Sequence, residues 1–202
     1  NRQLKTGGET GNLNYMVNLS DMSTDGYRDH SEFENKQLNG RFEYSLSDSS
    51  SLLTSIHHTD QPKANDPGGI TAEDAEDDRR QARARNVNFD AGEELKQTRV
   101  GLLYKTSLKQ GRDIEARVYN TTKDFDNKLP FVDGGAVSLD RDFTGGGIKY
   151  IVEDVVGGMN NRLLLGFDYD LQDDDRRRFE NNLGTIGART FDQNEEVTSI
   201  GT

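Results

Sequence analysis

The sequence predicts an all-β chain, an antiparallel up-and-down segment of a transmembrane β-barrel with about seven or eight strands. Three observations support this fold class. Apolar residues alternate with polar ones along successive segments, which is the period of a half-buried strand. Short turns alternate with long polar loops, and tyrosines recur on the apolar side near the short turns, as they do in membrane-spanning barrels.

Seven segments carry the alternation, each with apolar residues at every second position. In chain order these residues are Leu13, Tyr15, Val17 and Leu19; Leu38, Phe42, Tyr44 and Leu46; Leu52 and Ile56; Val100, Leu102, Tyr104 and Leu108; Ile114, Ala116 and Val118; Ile148, Tyr150 and Val152; and Leu163, Leu165, Phe167, Tyr169 and Leu171. The third and sixth segments show the pattern least clearly. Because one period recurs seven times, we expect one sheet with a shared apolar face.

Short and long connections alternate between these segments. Short turns are predicted at 7–11, 47–50, 109–112 and 153–161, and long polar loops at 20–35, 59–94, 121–136 and from Gln172 onward. Short periplasmic turns on one rim and long extracellular loops on the other are typical of an outer-membrane barrel. Soluble sandwiches usually have modest loops at both ends, so the asymmetry favours the membrane.

Tyrosines on the apolar side fall at similar distances from the predicted short turns. Four of them lie three to five residues from such a turn: Tyr15, Tyr44, Tyr104 and Tyr150. Phe167 and Tyr169 lie near the opposite, long-loop end. Tyrosine favours strands in general, but matching heights predict the two aromatic belts of a transmembrane barrel.

The polar side carries many charges, namely Arg41, Glu43, Lys105, Glu115, Arg117, Lys149, Arg162 and Asp168. Lining a small dry barrel with them would have a large desolvation cost. They suit a wide wet lumen or a hydrated plug, as in 22-stranded transporters. They equally suit the solvent face of a soluble sheet, and alternation alone does not separate the two. The loop asymmetry and the tyrosines favour the membrane, and the chain is then expected to be a segment of a larger barrel, of about 22 strands as in those transporters.

Composition excludes several classes of function. The net charge of −11 argues against nucleic acid, which requires clustered Lys and Arg. The chain has no Cys, so disulfides and thiolate metal sites are excluded. We find no nucleophile–base pair, phosphate-binding Gly-rich loop or metal-ligand spacing. We therefore predict no enzyme, no catalytic residue, no metal site and no cofactor.

The chain begins at Asn1 without a leader, so we expect an internal piece of a longer protein.

A short helix is predicted inside the 59–94 loop. Pro67-Gly68-Gly69 is a turn signal, and Thr71-x-x-Asp74 is a capping box that opens a helix through about Arg80. Acidic residues fill its first turns and arginines its end, which matches the helix dipole.

Three segments resemble TonB-dependent outer-membrane receptors. Residues 24–31, TDGYRDHS, resemble the loop that follows an early barrel strand in that family. Residues 66–73, DPGGITAE, followed by 79–83, RRQAR, are similar to a loop of the branch with ferric-citrate-like and pyrroloquinoline-quinone-like receptors. Residues 96–104, KQTRVGLLY, resemble the returning strand of that branch. Arg79 stands where the branch has a Pro, so the local turn departs from the pattern.

The likeness runs along nearly the whole chain in the family's order. It implies that residues 1–202 form early strands of the barrel domain, with the plug domain, the TonB box and the C-terminal strands outside this sequence. It implies an active-transport receptor in the bacterial outer membrane, in contact with lipid and energised by the TonB system through the plug. The ligand is expected to be a small, scarce chelate or cofactor, such as a siderophore or an iron carboxylate.

Candidate ligand-binding residues lie in the first two long loops: Tyr27, Arg28, His30, Arg79, Arg80, Arg83 and Arg85. Forked guanidinium donors suit an anionic carboxylate chelate. The alternatives are that the arginines neutralise the acids of their own loop and that Arg28 ties down its Asp neighbours. His57 and His58 point to opposite faces and should not share a metal. The run 173–178, DDDRRR, predicts a charge-paired loop more than a cation site.

Two further classes of function stay open. A passive porin-like channel would share every strand feature and lack a plug. A secreted acidic β-sheet module that binds Ca²⁺ or a surface polymer would pack its apolar face within the chain, whereas a membrane barrel would leave that face bare.

Overall fold

The computed structural model describes residues 1–108 and 111–202, and within them the chain forms nine strands and two short helices. In chain order these are β1 (Arg2–Thr10), β2 (Leu13–Thr24), β3 (Phe33–Ser47), β4 (Ser50–Asn65), α1 (Ala72–Asp77), α2 (Ala84–Asn88), β5 (Gly92–Leu108), β6 (Arg112–Lys128), β7 (Ala136–Val156), β8 (Met159–Asn182) and β9 (Thr185–Gly201).

The strands form one antiparallel sheet in chain order, from β1 at one edge to β9 at the other. Each strand pairs with the next strand along the chain, so the topology is up-and-down throughout. Among the described residues, β1 pairs only with β2 and β9 pairs only with β8. This arrangement confirms the predicted fold class, with nine strands instead of seven or eight.

The register places the predicted apolar residues on one face, which we call the apolar face. Thr54 pairs with both Phe42 and Leu102, and Leu102 pairs with Val118. Directly paired residues point to the same side of a sheet. Val118 and Leu165 are each 57% exposed, and extensive contacts join only consecutive strands. The described chain therefore has no second layer that covers its apolar face.

The opposite face, which we call the polar face, carries the charged residues that the alternation placed there. Lys105 Nζ lies 3.1 Å from Glu115 Oε1, and Arg41 Nη2 lies 3.3 Å from Glu43 Oε2. Both pairs are substantially exposed, so each contributes little stability, about 0.2–1 kcal/mol. The polar face is thus exposed and charged, while the apolar face has no covering layer.

The strands are longer than the alternation predicted. The predicted long loop from Gln172 onward is wrong, because β8 continues to Asn182 and a turn at 183–184 leads directly into β9. Two short turns are also shorter than predicted, at 11–12 instead of 7–11 and at 157–158 instead of 153–161. The turn predicted at 109–112 includes Lys109 and Gln110, which lie outside the described residues.

The tyrosines of the apolar face follow a slant across the sheet. Tyr44 and Tyr104 both pair with Leu52. Tyr15 pairs with Phe42, which is two residues nearer the long loops than Tyr44. Tyr150 pairs with Ile114, which is two residues nearer the short turns than Ala116, the partner of Tyr104. The short turns shift in the same direction from β1 to β8. Because barrel strands tilt, rows of paired residues climb relative to the rim. The distances to the short turns nevertheless differ, because Tyr15 lies three residues from the turn at 11–12 and Tyr150 lies seven residues from the turn at 157–158. Phe167 lies nearer the short turn at 157–158 than the far end of β8 at Asn182, so its predicted place in an outer belt is wrong.

No helix in the described part of the chain is both long enough and apolar enough to cross a membrane.

Candidate functional site: the loop rim

Four connections meet at one end of the sheet, because every second connection of an antiparallel sheet lies on the same side. They are residues 25–32, 66–91, 129–135 and 183–184, and we call this end the loop rim. The candidate ligand-binding residues all lie in the 25–32 and 66–91 loops. The two loops contact each other directly.

Helix α1 has the predicted capping box. Thr71 Oγ1 accepts a hydrogen bond from the Asp74 backbone N–H, and the Thr71 N–H donates to Asp74 Oδ2, both at 3.1 Å. Hydrogen bonding to the Thr71 side chain and backbone lowers the pKa of the Asp74 carboxyl. The predicted extension to Arg80 is wrong, because α1 ends at Asp77 and has no basic residue in its last turn. The second helix, α2, was not predicted.

Arg28 holds the two loops together. Its Nη1 donates to the Gly68 carbonyl at 2.6 Å, and its Nη2 donates to the Gln81 and Pro67 carbonyls at 2.9 and 3.3 Å. Nε donates to the same Gln81 carbonyl at 3.0 Å. The guanidinium therefore binds the backbone of the 66–91 loop instead of the Asp residues beside it.

Three further hydrogen bonds join the 25–32 loop to the 66–91 loop or to the end of β4 beside it. The His30 Nε2–H donates to the Ala91 carbonyl at 2.8 Å, and the Asp29 N–H donates to the Arg80 carbonyl at 2.7 Å. Asn65 Nδ2 donates to Glu32 Oε2 at 2.6 Å. The backbone N–H of Glu32 and the Asn65 amide lower the pKa of the Glu32 carboxyl. The 25–32 loop thus contacts the 66–91 loop near both ends and in its middle.

The four arginines of the 66–91 loop are exposed. They are Arg79, Arg80, Arg83 and Arg85. Among the described residues, none of them lies within 4.0 Å of a carboxylate oxygen as an ion pair. Arg80 stacks over the Tyr27 ring at 5.7 Å, and Arg85 over the Phe89 ring at 5.8 Å. The rim therefore presents four guanidinium groups with their charges facing solvent.

Two buried asparagines organise the rim, and the sequence pattern did not reveal them. Asn86 is 2% exposed and donates to Asp66 Oδ2 at 3.0 Å. Asn181, at 1% exposed, donates to the Phe89 and Leu129 carbonyls at 2.9 and 3.0 Å. Asn181 thereby joins the end of β8 to two rim loops. A single Asn in a polar stretch has no periodicity, so no signal in the sequence identified either residue.

A polar cluster lies on the polar face around β7. Arg117 Nη2 on β6 donates to Asp168 Oδ1 on β8 at 2.7 Å, although β7 lies between the two strands. The pair reaches across β7 at Gly147, where a Cβ atom would overlap Asp168 Oδ1. Tyr119 donates to Asp170 across Gly145 in the same way. These contacts are possible because Gly145 and Gly147 have no side chain between the two partners.

The run 173–178 is part of β8, so its predicted loop is wrong, but four of its six charged residues, Asp174 to Arg177, are in ion pairs. Asp174 is 2% exposed and accepts from Arg141 Nε and Nη2 at 2.6 and 2.5 Å. Arg177 pairs with Asp140 and Asp175 on the other side of the sheet. No cluster of three or more His, Cys, Asp or Glu residues that would hold a metal is present among the described residues.

The two adjacent histidines face opposite sides, as expected. His57 Nδ1 is 2.8 Å from Asn39 Oδ1, and His58 Nδ1 is 2.9 Å from Thr98 Oγ1. Asn39 pairs with His57 and Thr98 with His58 in the sheet register, so each histidine binds its direct strand neighbour.

The chain matches no known protein-family model. Its fold is similar to that of a solved structure, the ferric citrate transporter FecA in its unliganded form, with a TM-score of 0.82 and 16% identity. The match covers 98% of this chain, which spans 30% of the length of that transporter chain. The chain therefore has the fold of an antiparallel β-barrel segment.

Proposed function

We propose that this chain is part of the wall of an outer-membrane receptor that actively imports a small anionic chelate. The observation that carries the proposal is the apolar face, which runs from β2 to β8 without a covering layer, combined with a rim of docked loops at one end. Similarity to a transporter fold over 98% of the chain supports it.

Lipid is the partner that suits the apolar face. Leu163, Leu165 and Phe167 are 55%, 57% and 47% exposed, and such a continuous apolar surface would be unfavourable in water. In hydrocarbon every backbone polar group must be paired, and a closed barrel satisfies that requirement. The remaining strands of the receptor would pair with the free edges of β1 and β9.

The loop rim suits an anionic ligand with several carboxylates. Its four exposed guanidinium groups have no carboxylate partner among the described residues. Each charge-assisted hydrogen bond to a bound carboxylate would contribute about 1.5–3 kcal/mol. We propose an iron–carboxylate chelate, and ferric citrate is the probe of choice because the similar transporter carries that name.

The rival classes make different predictions about the apolar face and about energy. A secreted β-sheet module would bury its apolar face, whereas Val118 and Leu165 are each 57% exposed. A passive channel would share this feature and would lack a plug coupled to the TonB system. Energy dependence of uptake therefore separates the two membrane functions.

The binding test uses the full-length receptor and a titration with ferric citrate. The Arg80→Ala, Arg83→Ala double variant should lose about tenfold or more in affinity per residue. The matched control is the Arg176→Ala, Arg177→Ala double variant, whose arginines lie on β8 in ion pairs with Glu195, Asp140 and Asp175. Equal losses in both variants, or no loss in either, would contradict the proposed site. Gel mobility before and after heating checks that the barrel is intact.

The transport test follows iron uptake in cells that express the receptor. A protonophore should abolish uptake and leave ferric citrate binding to the cell surface unchanged, because the energy is needed only after capture. Uptake that continues at the same rate after addition of the protonophore would show a passive channel instead.

A further inference from the structure

One side chain of the 25–32 loop, that of Arg28, joins the start of the 66–91 loop to its middle. Arg28 binds the carbonyls of Pro67 and Gly68 at the start of that loop and of Gln81 near its middle. The Arg83 N–H also donates to the Pro67 carbonyl at 2.8 Å, so the two halves of the loop meet at Arg28.

The donors of Arg28 are almost fully used in this contact. A guanidinium has five N–H donors, and four are engaged by the Gln81, Gly68 and Pro67 carbonyls. The side chain is half-buried between the two loops. It thus has little capacity left for a ligand, in contrast to the exposed arginines beside it.

Gln81, whose carbonyl Arg28 binds, lies among the arginines of the 79–85 segment. Arg79 and Arg80 immediately precede Gln81, and Arg83 follows two residues later. The neighbouring Asp29 N–H holds the Arg80 carbonyl, and the neighbouring Tyr27 ring lies under the Arg80 guanidinium. The residues on either side of Arg28 therefore hold Arg80, one of the guanidinium groups that would meet an anion.

We infer that Arg28 is a positioning residue, which latches the 66–91 loop so that Arg79, Arg80 and Arg83 face the ligand, and that it does not bind the ligand itself. This inference rests on the proposed function for its ligand, although the latch itself is a property of the loops. Lysine cannot replace Arg28, because an ammonium group does not span three carbonyls in the planar fork geometry of a guanidinium.

The latch has a measurable consequence for affinity. When only a fraction of molecules holds the binding-competent loop, the apparent dissociation constant rises by the inverse of that fraction. If release of the latch leaves about one molecule in ten with a docked loop, affinity falls about tenfold. Both Arg28→Ala and Arg28→Lys should show this loss.

The experiment compares these two variants with Arg41→Ala in the full-length receptor, using ferric citrate titration and limited trypsin digestion. Arg41 is an exposed residue of the polar face that pairs with Glu43, at a distance from the loop rim. Trypsin cleaves after arginine, so it reports directly on the 79–85 segment. We expect faster cleavage there and weaker binding in both Arg28 variants, and wild-type behaviour for Arg41→Ala.

The two measurements separate the possible failures. Weaker binding with unchanged cleavage of the 79–85 segment would make Arg28 a direct ligand donor and overturn the latch. Wild-type cleavage and wild-type binding in Arg28→Ala would overturn it as well. If the wild-type receptor does not bind ferric citrate at all, the proposed ligand is wrong, and faster cleavage in the variants would still support the latch.

Discussion

Replacing Gly147 with alanine probes the contacts that cross β7 on the polar face. A Cβ atom at Gly147 would overlap Asp168 Oδ1, which accepts a hydrogen bond from Arg117 at 2.7 Å. The new methyl group must therefore displace Asp168 and separate it from Arg117. Gly166 on β8 is the matched control, since a Cβ atom there would have its nearest neighbours at 3.6 Å, an ordinary contact.

The magnitude follows from two contributions. Overpacking costs about 1–3 kcal/mol. The side chains of Arg117 and Asp168 are 37% and 35% exposed, so loss of their ion pair adds only about 0.2–1 kcal/mol. Gly147→Ala should therefore destabilise the barrel by about 1–4 kcal/mol. Gly166→Ala should be neutral or stabilising by up to about 1 kcal/mol.

The assay is denaturant unfolding of the full-length protein in detergent, followed by the gel mobility of the folded and unfolded forms. The unfolding midpoint should fall in Gly147→Ala and not in Gly166→Ala. In an Asp168→Ala background, the overlapping oxygen is gone, so Gly147→Ala should cost less. Equal midpoints in the two glycine variants, or additive effects in the double variant, would refute the reasoning.

Three other perturbations test separate parts of the account. Because the pKa of Glu32 is lowered from 4.5, its carboxylate stabilises the docked loops above that pH, and the contribution is lost as the pH falls through the lowered value. Hydrogen exchange in the 66–91 loop should therefore be slower in wild type than in Glu32→Gln at pH 7, and the difference should shrink as the pH falls below 4.5. A difference that stays constant with pH would contradict this. Asn181→Ala leaves two carbonyls without their donor and should destabilise the rim by about 1–3 kcal/mol. The expected readout is faster proteolysis of the 66–91 and 129–135 loops. Asn182→Ala, at the exposed neighbouring position, should change proteolysis of neither loop. Leu165→Arg on the apolar face should destabilise the inserted barrel by about 2–4 kcal/mol. Leu164→Arg on the polar face should have a much smaller effect on the unfolding midpoint of the barrel. Equal effects of the two variants would show that the faces are wrongly assigned.

The alternation predicted the central part of most strands and missed their outer ends. Leu163 to Leu171 alternate because one side is apolar and the other polar, and that segment was predicted correctly. Beyond Leu171 both sides of β8 are polar, with Asp174 bound to Arg141 on one side and Arg177 bound to Asp140 on the other. Hydropathy has no period where both faces are polar, so the continuing strand had the appearance of a loop.

The strands at the two edges were missed for the same reason. In β1 the only large apolar residue is Leu4, and β9 carries polar residues on both sides over most of its length. Neither segment has the repeated apolar positions that identify a half-buried strand. Pairing with β2 and β8 defines them, and such long-range contacts have no local signature.

The loop rim was predicted in position and not in detail. The capping box at Thr71 is local and was found from four consecutive residues. The end of α1 at Asp77 had no such local signal: Asp78 is extended, and the chain beyond it is held by Arg28, which binds the Gln81 carbonyl more than fifty residues away. The two loops were expected on the same rim, but their direct docking through Arg28 and His30 depends on packing that no spacing rule describes. Ligand binding by the other six candidate residues stays a prediction, and for Arg28 we infer a positioning role instead.

Spin labels at Leu102 and Leu103 test most directly whether the apolar face meets lipid. The two residues are identical and adjacent on β5; Leu102 pairs with Val118 on the apolar face, and Leu103 pairs with Arg117 on the polar face. The chain has no Cys, so each position takes one labelled cysteine without competition from this segment. In the full-length receptor in bilayers, a label at 102 should collide with dissolved oxygen and not with a water-soluble nickel chelate. A label at 103 should show the reverse preference. Equal access of the nickel chelate to both labels would contradict a lipid-facing wall.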